Sequence, residues 1–248
     1  DGPRTFAYDD EDQLVSVTVT NGVNNWTQST FTYDALGRRR VRTESVWRNN
    51  AWVAQSVTRY VYDHMLVLQE RDGNNLPTVT YTRGPDLSGR LQGAGGIAGL
   101  LALTRQLAID PEHFYYHADA GGNVTALTDS RQAVGACCRY DPYGNLLGLS
   151  GPMAEANLYR FSSKEFHAAS GLYYYGYRLY DPSLQRWINR DPVGELGGFN
   201  PYEFCLNRPV NGADAYGLTY ASNLEFLWNW LLGIQPVLVD YPSYSLQS

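Results

Sequence analysis

The sequence predicts an all-β chain of antiparallel hairpins that curls on itself instead of forming a flat sandwich, ended by a short C-terminal helix. Three observations carry this expectation. Segments such as Leu14-Val-Ser-Val-Thr-Val-Thr20 and Thr78-Val-Thr-Tyr81 alternate apolar and polar residues, the period of a strand with one buried face. Tyr-Asp pairs recur at Tyr8-Asp9, Tyr33-Asp34, Tyr62-Asp63, Tyr140-Asp141 and Tyr180-Asp181. The composition, with 20 Tyr and almost no Lys, favours strands over helices.

Two of the Tyr-Asp units, YDALGR ending at Arg38 and YDPYGN ending at Asn145, carry a Gly three residues after the Asp. Asp can bond its own backbone two residues on and Gly accepts positive φ, so each step reverses the chain into the next strand. The run from Leu91 to Leu103 is apolar but broken by glycines and followed by Arg105. It is too short for a membrane span and lacks the Lys-Ser/Thr ending of a phosphate loop, so it reads as a Gly-rich loop feeding a strand. After Leu218 the texture changes. Ser222 to Gly233 opens with capping residues, sets Leu224, Leu227, Trp228 and Leu231 on one helical face and closes on Gly, which predicts the helix.

With 248 residues, 44% of them hydrophobic and 18% charged, the chain is of ordinary globular composition. One large all-β unit or two small domains both fit its length. The change of texture after Leu218 sets off 219–248 as a tail. A formal charge of -6 gives no concentrated positive field, which excludes nucleic acid as a main partner. Cys137, Cys138 and Cys205 are too few and too badly spaced for a zinc site. His113 and His117 stand in HFYYH without the carboxylates or the HExxH spacing of a metal site and read as strand residues. Neither metal nor cofactor is expected. The first residues hold no positive n-region and no apolar h-region, so the expectation is a start inside a longer polypeptide.

The Tyr-Asp units and an ordered set of residues after them carry a resemblance. Gly171-Leu, Tyr173, Arg178, Tyr180-Asp-Pro182, Arg186, Asp191-Pro-x-Gly194, Gly198-x-Asn-x-Tyr202, Asn207-x-Pro209 and Asp214-x-x-Gly-Leu218 follow one another in sequence. In these the chain resembles the Rhs/YD-repeat family and its repeat-associated core domain, from about Thr5 to Leu218, and the resemblance implies YD-repeat strands over 1–158, the core domain with its self-cleavage site over 159–218 and a C-terminal tail over 219–248. The resemblance implies strands coiled into a hollow bacterial shell, secreted or at the cell surface as part of a longer protein, plugged by the core domain and holding a C-terminal cargo, often a toxin. It implies as partners the chain's own C-terminal segment and upstream shell repeats or a delivery domain. It also implies self-cleavage between Leu218 and Thr219, with Asp191 and Asp214 as paired aspartates and Arg178 as a supporting cation. Two positions depart from the family pattern: Ala215 stands for the usual Pro, which would rigidify the turn, and Gln185 for a common Gly.

The chemistry is that of paired carboxylates. Two that approach closely cannot both ionise cheaply, so one holds a proton while the other activates water, as in aspartic proteases. Within one chain such a reaction turns over once. Asp-Pro-x-Gly is equally a plain turn signature, however, and recurs at Asp141-Pro-Tyr-Gly144, where no catalysis is expected. Arg178, Arg186 and Arg190 are open to ring stacking as well. The competing functions are a non-cleaving scaffold for adhesion or partner binding and a carbohydrate surface built on the Tyr and Trp side chains.

Overall fold

A computed structural model describes residues 3–20, 22, 25–194, 199–218 and 220–222. Within them, β1 Arg4–Tyr8, β2 Leu14–Thr20, β3 Trp26–Tyr33, β4 Arg39–Arg48, β5 Ala51–Asp63, β6 Leu66–Arg71, β7 Pro77–Arg83, β8 Leu100–Arg105, β9 Glu112–Ala118, β10 Val124–Asp129, β11 Val134–Tyr140 and β12 Leu146–Ser150 form a sheet in chain order. Each strand is antiparallel to the next. A second sheet holds β13 Glu165–His167, β14 Leu172–Tyr174, β15 Leu179–Asp181 and β16 Arg186–Trp187, and β17 Gly212–Asp214 pairs with β18 Tyr220–Ser222. The antiparallel all-β expectation therefore holds. The expected helix lies, apart from Ser222, outside the described residues.

The turns follow one design. At Asp34, Oδ1 accepts from the Leu36 and Arg38 amides at 3.0 and 3.1 Å, while the Asp34 amide donates to the Arg38 carbonyl at 3.0 Å. Asp9, Asp72, Asp119, Asp129 and Asp141 repeat this set. The positive-φ position takes Gly37, Gly122 and Gly144 but also Asp12, Asn75 and Gln132, so the carboxylate tolerates more than the Gly that the sequence pattern singled out. The tyrosine has its own task. Tyr33, Tyr62 and Tyr140 each donate a hydroxyl proton at 2.8 Å to the carbonyl of the first residue of the preceding strand, Leu14, Arg39 and Val124.

Bulges follow these turns. Tyr8 pairs Leu14 while Ala7 pairs Ser16, leaving Val15 extra, and Arg40, Gly135 and Leu147 are extra in the same way. Each bulge strengthens the right-handed twist, and repeated bulges curl the sheet. The curl is visible in two adjacent residues: Asp181 pairs with Arg4 of β1 at 2.6 Å, while the Tyr180 hydroxyl donates to the Tyr143 carbonyl at 2.8 Å beside β12. The second sheet thus touches both ends of the first. Leu14, Val17, Val19 and Phe31 pack on Leu172, Tyr174 and Leu179, and Phe161, Tyr173, Tyr175, Tyr180, Trp187 and Phe204 form an aromatic core. The β1 edge is tied by Arg4 to the Ser170 carbonyl at 2.9 Å and by the Tyr8 hydroxyl to that of Ile188 at 3.3 Å. All three cysteines are free thiols, and His113 and His117 lie in β9, bonded at 3.0 Å to Thr104 and Thr128 of neighbouring strands.

Candidate functional site

Arg178, Asp191 and Asp214 come from three successive elements. Arg178 precedes β15, Asp191 opens the turn after β16, and Asp214 ends β17. Pairing of β15 with β16 and of β17 with β18 sets them face to face: Arg178 Nη1 lies 2.9 Å from Asp191 Oδ2 and Nη2 lies 3.1 Å from Asp214 Oδ2. The guanidinium carbon stands 4.3 Å from the centre of the buried Trp187 ring, so the ring-stacking and charge-pairing roles foreseen as alternatives are both filled. Arg186 stacks similarly, 4.7 Å from the Tyr202 ring. All three site residues are buried, with exposures of 2%, 6% and 3%.

Asp214 also grips the backbone that follows it. Its Oδ1 accepts from the Gly217 and Leu218 amides at 2.7 and 2.8 Å, and Arg178 Nε donates to the Gly217 carbonyl. Gly217 has φ +78°, a conformation that favours glycine, and a Cβ there would lie 3.1 Å from Arg178 Cβ, so the turn closes tightly on the Arg178 side chain. Leu218 is therefore held through the atoms on its N-terminal side. Thr219 lies outside the described residues, and the strand pairing resumes at Tyr220 opposite Asp214.

One cation serves two carboxylates. Burial raises the Asp191 pKa above its ordinary 3.8; the Val193 amide and Arg178 oppose the rise, and Asp214 adds to it. Burial likewise lowers Arg178 against the pull of Asp214 and Asp191. The sequence expectation was of two carboxylates dividing one proton; here an arginine bridges them, and Asp191 is displaced toward proton binding. Arg178, Asp191, Asp214, Cys205 and Leu218 line a narrow cleft of about 10 Å³, room for roughly one water. Among the described residues no group of three His, Cys, Asp or Glu side chains could hold a metal.

Sequence reasoning missed two parts of this site. Cys205, Leu206 and Asn207 have φ of 49°, 50° and 56°, three consecutive non-glycine residues in the left-handed region, each at a cost of about 1–3 kcal/mol. Burial and the neighbouring Asp214 carboxylate push the Cys205 thiol well up, so it stays protonated. No local signal announced this turn. The second omission is Lys164, whose Nζ donates to the Ala215 carbonyl at 2.6 Å. Its signal was present, since it is the single lysine of the sequence.

Comparison with solved structures places the fold. Over 88% of its length the chain superposes on 10% of a chain of the Photorhabdus luminescens Tc holotoxin pore, determined with a TccC3 mutation, at a TM-score of 0.65 and 23% identity. The fold is that of a segment of the Tc holotoxin. In sequence, the chain is 29% identical over 225 residues to double-stranded DNA deaminase toxin A of Burkholderia cenocepacia, covering 87% of this chain and 15% of that protein. It is 30% identical over 239 residues to the tRNA3(Ser)-specific nuclease WapA of Bacillus spizizenii, covering 94% of this chain and 9% of that one. The chain thus spans less than a sixth of the length of these relatives. No family model matches it. No helix among the described residues is long and apolar enough to cross a membrane.

Proposed function

We propose that this chain is the end segment of an Rhs-type encapsulating shell, carried in a longer secreted or cell-surface protein, that cuts its own backbone between Leu218 and Thr219 to free a C-terminal peptide or toxin. The observation that carries the reading is the bridge of Arg178 to Asp191 and Asp214, side chains 23 positions apart, beside the backbone of Gly217 and Leu218. Relatedness to a deaminase toxin and a nuclease, each far longer than this chain, supports the cargo half of the reading.

The chemistry follows from the roles the residues already fill. Asp214 orients: it accepts from two backbone amides and from Arg178, an acceptor's work that fixes the Leu218 peptide. Asp191 in its ionised form takes a proton from a water in the cleft as the water oxygen bonds to the Leu218 carbonyl carbon. The Arg178 charge offsets the negative charge that develops on the carbonyl oxygen. The carbon–nitrogen bond then breaks, and Asp191 passes the proton to the Thr219 amine. Because Tyr220, Ala221 and Ser222 pair with β17, the new N-terminal segment stays hydrogen-bonded to the strand that carries Asp214.

A non-cleaving scaffold remains the competing reading, favoured by the use of Asp side chains as turn organisers throughout the first sheet. Terminal sequencing of denatured protein separates the two. Self-cleavage gives a fragment that begins at Thr219, one intact chain for Asp191→Asn and for Asp214→Asn, and normal cutting for Asp141→Asn. An uncut wild-type chain leaves the scaffold.

A further inference from the structure

The Gly-rich loop between β7 and β8 does more than feed a strand. Buried Asp86 gathers it from within: Oδ1 accepts from the Ser88 amide and hydroxyl at 2.9 and 2.6 Å, and Oδ2 from the Ala94 and Gly96 amides at 2.7 and 3.0 Å. Ala94 and Ile97, both fully buried, pack on Ala213 of β17, next to Asp214. The Tyr216 hydroxyl donates to the Gln92 carbonyl. Lys164 Nζ joins the two segments, donating to the Gly95 carbonyl at 2.8 Å and to the Ala215 carbonyl at 2.6 Å. The approach is so close that a Cβ on Gly95, whose φ is +62°, would stand 2.0 Å from the Ala215 oxygen and 2.9 Å from Nζ.

We propose that Lys164 and the loop spanning 93–99 form a latch that positions Asp214, with the Lys164 ammonium tying the Gly95 and Ala215 carbonyls so that the turn 214–218 is held against Arg178. Lys164 is a positioning residue, and its bearing on cleavage rests on the reading of that turn given above. The latch has work to do because Ala215, unlike a proline, leaves its own φ free, so the rigidity of the turn comes from what holds its carbonyl. A lysine suits the place. Its flexible stem crosses buried space and its head offers three donors, here with the Tyr175 and Tyr216 rings 5.2 and 5.7 Å away.

The charged groups facing Lys164 are Arg83 of β7, Asp86 of the loop and Asp214 of β17, while the adjacent Glu165 is engaged by Arg39 and Arg42. Burial, and then Arg83, bring the lysine down to about 7 against the opposing pull of Asp214 and Asp86. Loss of the proton turns two charge-assisted bonds into neutral ones, so the latch loosens above that pH.

The test uses the full chain with Asp191→Asn, which is whole whether or not cleavage occurs in the wild type. Amide exchange at Gly217 and Leu218 is expected to quicken about tenfold or more when Lys164→Met is added, with β2–β4 amides unchanged, and Lys164→Arg is expected to restore part of the protection. Unchanged exchange at Gly217 and Leu218 overturns the latch whatever the cleavage assay shows. In the otherwise wild-type chain Lys164→Met should slow cutting about tenfold or more. A wild-type chain that never cuts refutes the cleavage reading alone, and normal cutting by Lys164→Met refutes the latch alone. Should Lys164→Met not fold, carbon-13 labelling of the single lysine serves instead. Overhauser contacts from its ε-methylene to both Gly95 and Ala215 support the latch, and their absence overturns it.

Discussion

Two buried arginine–carboxylate clusters among the described residues differ in how many cations serve each carboxylate. Between β4 and β13, Arg39 and Arg42 both hold Glu165, Arg42 at 2.6 Å, and the Tyr60 hydroxyl donates to it at 3.2 Å. The Tyr60 and Tyr174 ring centres lie 4.5 and 4.4 Å from the Arg39 guanidinium carbon. Burial pushes Glu165 up, yet Arg39 and Arg42 bring it below its ordinary 4.5. Nearby Glu70, which accepts from the Tyr81 hydroxyl at 2.7 Å, is raised instead. At Arg178 one cation is divided between two carboxylates, and Asp191 is raised. The same parts make a lock where cations are in excess and a proton acceptor where they are short. Location agrees with this division, since the first cluster joins the two sheets while the second borders a cleft lined by Leu218.

Breaking each cluster should therefore give different losses. The largest effect is expected from Asp191→Asn, which slows cutting about 10²–10⁴-fold, the span of a lost general base, and leaves stability within about 1 kcal/mol, since the site disfavours its charge. A mass time course with a urea titration checks both halves. Next comes Arg39→Met, which strands Glu165 with one fewer cation. It should cost about 3–5 kcal/mol in urea unfolding, while protein that remains folded keeps the ability to cut.

The pH responses should have opposite signs. Glu165, lowered on folding, contributes stability above 4.5 that is lost as pH falls through its folded value. Asp191, raised on folding, contributes stability present below 3.8 that is lost as pH rises through its folded value. Unfolding free energies across about pH 3 to 6 should show the penalty of Glu165→Gln shrinking toward acid, whereas cutting accelerates with pH as Asp191 ionises. A parallel trend in the two would erase the distinction. The smallest effect is expected from Arg178→Lys, about a tenfold slowing, because a point charge replaces the fork that reaches Asp191, Asp214 and Gly217 at once.

Much of the fold was legible because its signals are local. Alternation marks the strands, and Asp followed by a residue able to take positive φ marks the turns, although Asn75 and Gln132 show that a search for Gly alone misses some of them. Tyr33, Tyr62 and Tyr140 owe their recurrence to a carbonyl one hairpin back, which becomes apparent only when register is known. At the site, the ordered motifs named Arg178, Asp191 and Asp214, but nothing in their spacing says that an arginine bridges the carboxylates. The left-handed run at Cys205 uses residues with no preference for that region, and the contacts of Lys164 with Gly95 and Ala215 span 69 and 51 positions. Long-range packing created the lysine contacts, so no sequence window contains them.

The most direct test is the mass of wild-type chain made and folded in heavy-oxygen water and denatured at once. Two fragments are predicted, together one water heavier than the chain, with the label in the carboxylate of the piece that ends at Leu218. A single unlabelled chain of full mass would contradict the account and leave Asp191 and Asp214 as turn residues held by Arg178.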